Sequence, residues 1–254
     1  MTADPALAHA ARPVLERWLL ERLRDRDSVR AWLDKALDDA RRAGPAGPEF
    51  VGAWSSAGRR LGRTPLVVSE DDRHALAEAR ATFVPFGWGT DELGRALLLL
   101  AATQGQPAAL LPPVVEDLFR KGEMREQQAL LRVLAYLPGP AAYVSLAAEA
   151  VRGNVVSVLE ALACDNPFPA TYMDALAFNQ MVMKALFNDL SLAHIVGLPA
   201  RTDAELRRMA RALASERRAA GRTVPQDLQD LIGVVDPVEP ILPILPVLPP
   251  PRRS

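Results

Sequence analysis

The stretch that decides the fold is residues 149–187, EAVRGNVVSVLEALACDNPFPATYMDALAFNQMVMKALF. Its apolar residues recur at helical spacing on both sides of the segment 165–169, which reads DNPFP. Because a following proline disfavours the helical conformation, Asn166 is expected to interrupt the helix. The stretch therefore predicts two apolar helices, over residues 155–164 and 170–188, joined by a short loop.

Helical patterns also fill most of the remaining 254-residue chain, in segments of 10 to 17 residues separated by short Pro- or Gly-containing connectors. Alternating strand patterns and hairpin turn signals are absent. Residues 44–65 are dense in Gly and Pro, and this composition predicts irregular structure or at most a brief helix. The expected fold is all-α, a single irregular multi-helix bundle over residues 1–235, with HEAT-like stacked helix pairs as the alternative.

The C-terminal segment 236–254 differs from the rest in composition. Proline occupies every third position from Pro237 to Pro249, with aliphatic residues between. A period of three residues is typical of the polyproline II helix, so an extended tail is predicted. This Pro-rich tail is expected to dock on a partner, to lie over its own domain, or to be free in solvent.

The bulk composition narrows the classes of function. Thirty basic residues against 31 acidic ones leave no basic surface for nucleic acid. One Cys excludes an internal disulfide, and three widely separated His give no metal-ligand spacing, so neither a metal nor another cofactor is expected. The longest apolar run, residues 96–103, is too short to span a bilayer, and the first residues lack the pattern of a signal peptide. A cytoplasmic protein that does not span the membrane is expected.

Glu160 is the first polar residue that an ordinary core helix would not carry. It follows Val158 and Leu159 and precedes another short apolar run, so it is expected to be buried. A buried carboxylate either pairs with a cation or has a raised pKa. The cations considered as its partner are Arg152, Lys184, Arg201 and Arg217. A structural ion pair and a general acid or base both remain open as its role.

The second apolar helix carries Asn179, Gln180 and Lys184. Asn179 lies among apolar neighbours on a helical wheel, so its amide is expected to be buried and hydrogen-bonded. Lys184 is the sole Lys after Lys121 in a chain that otherwise uses Arg. Since the pKa of a Lys changes on burial, Lys184 is a candidate for an anion contact or a Schiff base, with a solvated or salt-bridged Lys as the alternative.

The central stretch, together with IVGLPAR at residues 195–201 and ERRAAGR at 216–222, resembles the EboA family. The family pattern combines R-x-N, E-A-x-A-x-x-N-P, N-Q-M-V-L-K-A-L-F, I-x-G-L-x-x-R and H-E-R-W-A-A-G-R. Two departures stand out, because Ser215 and Arg218 replace a His and a Trp that flank Glu-Arg in the pattern. If that His has a chemical role in relatives, this chain does not share it.

The resemblance implies an all-helical bacterial protein encoded beside a prenyltransferase-like membrane enzyme, in gene clusters for specialised metabolites. Glu160 and Lys184 are the candidate catalytic residues. The predicted substrate-binding set, from the matching positions and the loop between the two helices, is Arg152, Asn154, Glu160, Asp165, Asn166, Asn179, Gln180, Lys184, Arg201, Glu216 and Arg217.

Three functions are compatible with these residues. The first is an accessory protein of biosynthesis or export that binds a hydrophobic metabolite, such as an isoprenoid-like one, or a pathway enzyme in a helical pocket. The second is an enzyme that acts on such a metabolite by acid–base or carbocation chemistry without a metal. The third is a structural interaction module whose Pro-rich tail is the docking element.

Overall fold

A computed structural model describes residues 5–78 and 87–233 and, for residues 5–11 and Ala77, the backbone alone. The Pro-rich tail predicted at residues 236–254 lies outside the described residues. So does the boundary predicted after residue 235, which stays a prediction.

α-Helices account for most of the described chain, where no strand longer than an isolated β-bridge occurs. The helices are α1 (Pro5–Arg22), α2 (Asp27–Ala43), α3 (Pro48–Leu61), α4 (Glu70–Glu78), α5 (Thr90–Thr103), α6 (Leu111–Lys121), α7 (Met124–Val133), α8 (Val144–Arg152), α9 (Val156–Ala163), α10 (Phe168–Tyr172), α11 (Ala175–Phe187), α12 (Leu198–Arg201), α13 (Ala204–Ala219) and α14 (Gln226–Gly233). The all-α fold predicted from the sequence is confirmed.

Helix α5 is the core element of the first part of the chain, because all 14 of its residues are buried. It packs against α1, α2, α3 and α7. Residues 96–102 of this helix, ALLLLAA, are apolar around the whole circumference, which is typical of a helix with neighbours on every side.

The start of α5 is charged although it is buried. Asp91 is fully buried and accepts hydrogen bonds from Arg95 Nη1 at 3.0 Å and from Arg125 Nε at 3.1 Å. Glu92 is also fully buried. Its carboxylate accepts the Gly89 N–H at 2.7 Å, which caps the helix, and lies 3.2 Å from the Arg125 guanidinium. The first turn of α5 is therefore fastened to α7 by ion pairs.

Two further residues of α7 complete this group. Arg132 Nη1 lies 3.2 Å from Glu92 Oε1, and Glu126 Oε1 lies 3.8 Å from Arg95 Nη2. Burial raises the pKa of the Glu92 carboxyl and lowers the pKa of the Arg132 guanidinium, and the opposite charge of each residue partly offsets the shift in the other. We call the group the ionic cluster; it comprises Asp91, Glu92, Arg95, Arg125, Glu126 and Arg132.

The prediction of irregular structure over residues 44–65 is wrong, because α3 fills most of that region. Pro48 stands in the first turn, where its missing N–H costs nothing, and Gly62 ends the helix at a positive φ. Between them, apolar residues at helical spacing face α2 and α5, with Phe50 and Trp54 in ring contact. Pro48 and Gly62 thus mark the helix ends, and the helix continues through Gly52 and Gly58 in its interior.

The two helices predicted around the 165–169 loop are present with different bounds. The first is α9, whereas the predicted helix 170–188 is divided into α10 and α11. The division falls at Asp174, whose carboxylate accepts the Ala177 N–H at 2.7 Å and so caps α11. A side-chain cap in mid-segment therefore starts a new helix where apolar periodicity alone predicts a continuous one.

By their contacts, the described residues up to Arg201 form one compact unit and those from Thr202 onward form another. In the described part of the second unit, α13 and α14 pack against each other. Asp203 caps α13 by accepting the Leu206 N–H at 2.7 Å. Arg217 Nε donates to the Thr223 carbonyl at 2.8 Å, which secures the turn after α13. In neither described part is a helix long and apolar enough to cross a membrane.

Replacement of Asp91 tests the contribution of the ionic cluster. Asp91→Ala leaves two largely buried guanidinium groups without their carboxylate, and we expect the free energy of unfolding to fall by roughly 3–5 kcal/mol. Asp117→Ala removes one partner of an exposed pair with Lys121 and is the control. We expect no measurable change in that variant, because exposed ion pairs contribute little. Equal urea midpoints for the two variants would contradict the role assigned to the cluster.

Candidate functional site

The side chain of Asn166 joins three helices at the loop after α9. Its Nδ2 donates to the carbonyls of Leu131 in α7 and Ala161 in α9, each at 3.0 Å. Its Oδ1 accepts the N–H of Phe168 at the start of α10, also at 3.0 Å. Since Asn166 is buried and bonded on both sides of its amide, its described contacts are architectural.

Asp165 stands beside His194, which follows α11 in the chain. The Asp165 backbone has φ +50°, and its N–H donates to the His194 carbonyl at 2.7 Å. The Asp165 carboxylate lies 3.2 Å from His194 Nδ1. The two contacts attach the loop to the segment after α11 and hold Asp165 in a conformation that few non-glycine residues adopt.

Lys184 of α11 reaches the end of α8. Its ammonium donates hydrogen bonds to the carbonyls of Val151 and Gly153. These carbonyls lie at the C-terminus of α8, where they lack helical partners and where the helix dipole favours a cation. Lys184 therefore caps α8 and is held by two backbone acceptors.

Arg201, another position of the family pattern, has a similar part at the end of α10. Its guanidinium donates to the carbonyls of Ala170, Met173 and Asp174 at 2.6, 2.8 and 3.1 Å. It also lies over the ring of Phe178, 4.6 Å from the centroid. These contacts fill the turn between α10 and α11 and fix the direction in which α11 leaves it.

The expectation that Glu160 is buried is wrong, because its side chain is exposed. Val158, Leu159 and Leu162 lie on the buried side of α9, and a residue two positions after Val158 points to the opposite side. Within residues 1–201, no ion pair joins Glu160 to another described residue, so the expected pairing with Arg152, Lys184 or Arg201 is absent there. Apolar neighbours in sequence do not imply apolar surroundings in a helix.

Cys164 lies one turn beyond Glu160 and next to Asp165. Burial, followed by the negative charges of these two carboxylates, raises the pKa of the thiol to about 11. The thiol is therefore protonated near neutral pH. This is the opposite of the depressed pKa that a cysteine nucleophile requires.

The other predicted site residues are divided between surface and interior. Asn179 is buried in α11, as the sequence predicts, and Arg217 is part of the turn after α13. The exposed members of the predicted set are Arg152, Asn154, Glu160, Gln180 and Glu216. The structure thus separates the set into capping residues inside the fold and polar residues on its surface.

An apolar surface accompanies those polar residues. Five of the eight exposed large hydrophobic residues in the described chain lie on α7, α11 and the start of α9, with 42 to 62% of each exposed. These helices are neighbours, since α9 packs against both α7 and α11. We call this surface the apolar face; its residues are Met124, Val155, Val156, Leu176 and Phe187.

Two contacts relate the parts of the apolar face to one another. Ser157 Oγ lies 3.2 Å from Met124 Sδ, which places the start of α9 against the start of α7. Lys184 contacts Gly153, two residues before Val155, and so places the last turn of α11 close to the start of α9. On α11 itself, Leu176, Gln180 and Phe187 fall within about 40° of one another around the helix axis, at ~100° per residue.

Sequence reasoning missed both the ionic cluster and the apolar face. The four-residue spacing of Asp91 and Arg95 is a signal for an intrahelical pair, and Arg125 and Arg132 are seven residues apart on one helix face. Pairing between α5 and α7 has no such local signal. The apolar face has none either, because Val156 and Leu176 read as core residues until their helices are packed.

Cavities occur elsewhere on the described surface. Depressions of about 500 and 380 Å³ lie along α1, and neither is lined by a residue of the predicted site. Among the residues whose placement is described, no group of three or more His, Cys, Asp and Glu side chains is arranged to hold a metal ion.

The chain matches one family model over residues 11–233, and that model is described as metabolite traffic protein EboA. The chain belongs to the EboA family. The match extends well beyond the 149–187 stretch and includes the second half of α1, the ionic cluster and the helices α13 and α14. No curated protein and no solved structure shows significant similarity to the chain.

Asn166 provides the test of the architectural role of the loop. Asn166→Ala removes the side-chain partner of the Ala161 carbonyl and of the Phe168 N–H, together with one of the two hydrogen bonds of the Leu131 carbonyl. We expect the free energy of unfolding to fall by roughly 3 kcal/mol. Asn154→Ala, a change of the same residue type at an exposed site, is expected to alter it by less than about 0.5 kcal/mol. Chemical denaturation measures both; a small effect of Asn166→Ala would mean that the loop is held in another way.

The reactivity of Cys164 tests its electrostatic surroundings. With a pKa of about 11, roughly a thousandth of the thiol is ionised at pH 8, so alkylation by iodoacetamide should be slow and should accelerate up to pH 11. Glu160→Gln removes a negative charge that opposes ionisation, and we expect a lower pKa and faster alkylation at pH 8. The unfolded chain is the control. An equal rate in the folded and unfolded protein would contradict the raised pKa.

Proposed function

We propose that this protein is an accessory protein of metabolite traffic that binds a partner protein of its pathway through the apolar face. Its contribution to the pathway is association, and it does not react with a substrate through Glu160 and Lys184. The exposed hydrophobic residues of the apolar face are the observation that carries this proposal.

The surroundings of Lys184, Glu160 and Cys164 favour a binding protein over an enzyme. The Lys184 ammonium is bonded to two carbonyls at the end of α8, whereas a Schiff-base lysine must be free to lose its proton and attack a carbonyl. Glu160 is exposed and lacks the enclosed apolar surroundings that a general-acid carboxyl requires. The Cys164 thiol is held protonated. Each group fits a structural role or a solvated one.

The composition of the apolar face is typical of a protein interface. Its five hydrophobic side chains are accompanied by the polar, exposed Arg152, Asn154, Glu160 and Gln180, all predicted site residues. Protein interfaces combine an apolar centre with a polar rim in this way. Exposed hydrophobic patches that are rimmed by polar residues mark sites of protein interaction.

The form of the apolar face favours a protein partner over a small hydrophobic metabolite. Small-molecule sites are concave and enclose most of their ligand. The two cavities described above lie along α1, and no residue of the apolar face lines them. A partner protein can cover exposed side chains on α7, α9 and α11.

Photo-crosslinking in the native host tests this function. A benzophenone amino acid is placed at Phe187 and, in a second variant, at Val156. Val67 is the control, because it is more exposed than either but lies between α3 and α4, away from the apolar face. We expect one discrete adduct, identified by mass spectrometry as a protein encoded in the same gene cluster, from Phe187 and Val156 and none from Val67.

Organic extraction of the same purified protein distinguishes the alternatives. A co-purifying hydrophobic metabolite without a cross-linked protein would overturn the proposal in favour of a carrier. Adducts of equal yield from all three positions would show unspecific contact and would also overturn it.

A further inference from the structure

Two cavities lie next to one another along α1. The larger, of about 500 Å³, is lined by residues of α1, by Arg24 in the turn after it and by Arg30 of α2. The smaller, of about 380 Å³, is lined by Arg12, Pro13, Glu16 and Gln104. Because Pro13 and Glu16 line both, we call the two cavities together the α1 groove. The volume of each lies within the range of small-molecule sites.

The spacing of residues along α1 explains the character of the groove. Pro13, Arg17 and Leu20 follow one another at intervals of four and three residues and so lie on one side of the helix, and Arg24 follows in the turn after α1. From Pro13 to Leu20 the groove follows α1 for about 10 Å, at a rise of ~1.5 Å per residue. Pro13 and Leu20 are apolar, and the arginines stand beside them.

Cations outnumber anions in the described lining of the α1 groove. Arg12, Arg17, Arg24 and Arg30 face two carboxylates, those of Glu16 and Glu21. Each carboxylate is already 3.7 Å from one arginine, in the pairs Arg12–Glu16 and Arg17–Glu21. Arg24 is exposed beside Asp25, and Arg30, which is half-buried, forms no ion pair with a described residue. The lining therefore has an excess of positive charge.

The smaller cavity of the α1 groove is lined by Arg12, a cation that is largely buried. The side chain of Arg12 is 12% exposed, and its guanidinium donates to Gln104 Oε1 at 2.8 Å. Burial and the nearby positive charge of Arg41 lower the pKa of Arg12, and the charge of Glu16 offsets this only in part. An oxyanion bound beside Arg12 would relieve both effects, and guanidinium groups bind carboxylate and phosphate with matching geometry.

We infer that the α1 groove binds a small amphiphilic anion, with its carboxylate or phosphate group at the arginines and its apolar body along Pro13 and Leu20. This site is separate from the apolar face and does not depend on the function proposed for that surface. It gives the protein a direct contact with an anionic metabolite in addition to its partner.

Titration calorimetry of the full chain with decyl phosphate, kept below its micelle concentration, tests the site. We expect saturable binding that weakens as sodium chloride is raised, since salt screens the arginines. Arg30→Glu and Arg17→Glu are each expected to reduce the affinity by roughly tenfold or more, because a charged hydrogen bond is lost and a repelling charge added. Arg59→Glu, at an exposed arginine of α3 outside the groove lining, should leave the affinity within about twofold of the original.

Two further ligands distinguish the contribution of the charged head group to affinity from that of the apolar chain. Inorganic phosphate should compete only weakly, and decyl maltoside, which has the same chain without a charge, should not bind. Equal binding of decyl maltoside, unchanged affinity in both arginine variants, or no binding of decyl phosphate would each overturn the inference. The variants change surface residues, and an unaltered thermal transition confirms that a loss of affinity is local. Leu20→Gln, which keeps every charge, provides an independent variant and should also weaken the binding of decyl phosphate.

Discussion

The ion pairs between the start of α5 and both ends of α7 are the constraint on which the first compact unit depends. Asp91 and Glu92 are removed from water entirely, a change that is costly unless every charge is paired. Because Arg125 and Arg132 come from α7, the pairing fixes where α7 lies on α5. Helix α9 packs on α7, and α11 packs on α9. The position of the apolar face thus depends on charges buried between α5 and α7.

The carbonyl groups at the ends of short helices also need hydrogen-bond donors. Several helices between α7 and α12 are ten residues or shorter, and their ends leave carbonyl groups without helical partners. Asn166, Lys184 and Arg201 satisfy those groups with side chains from other elements. A family pattern of polar residues in apolar helices can therefore preserve helix ends, although the same residue types would serve in an active site.

The polar residues of the family pattern that are exposed indicate that the protein functions through its surface. Once the capping residues are accounted for, Arg152, Asn154, Glu160 and Gln180 of the first compact unit stay exposed, beside exposed hydrophobic side chains. The arginine-lined groove of α1 is a separate accessible feature. A metabolite traffic protein with a partner surface and an anion-binding groove would bring a pathway enzyme and its charged metabolite to one scaffold.

The sequence by itself determined the helical class, the interruption at Asn166 and the burial of Asn179, because helical periodicity and the Asn-Pro step act over a few residues. It also carried the family likeness. Tertiary structure alone decided the exposure of Glu160, the capping role of Lys184 and the pairing of α5 with α7. These depend on which side of each helix meets a neighbour and on contacts between residues some 30 positions apart, for which local periodicity has no signal. It also decided that apolar residues such as Phe187 stand at the surface, since an unpartnered helix side reads in sequence like a buried one.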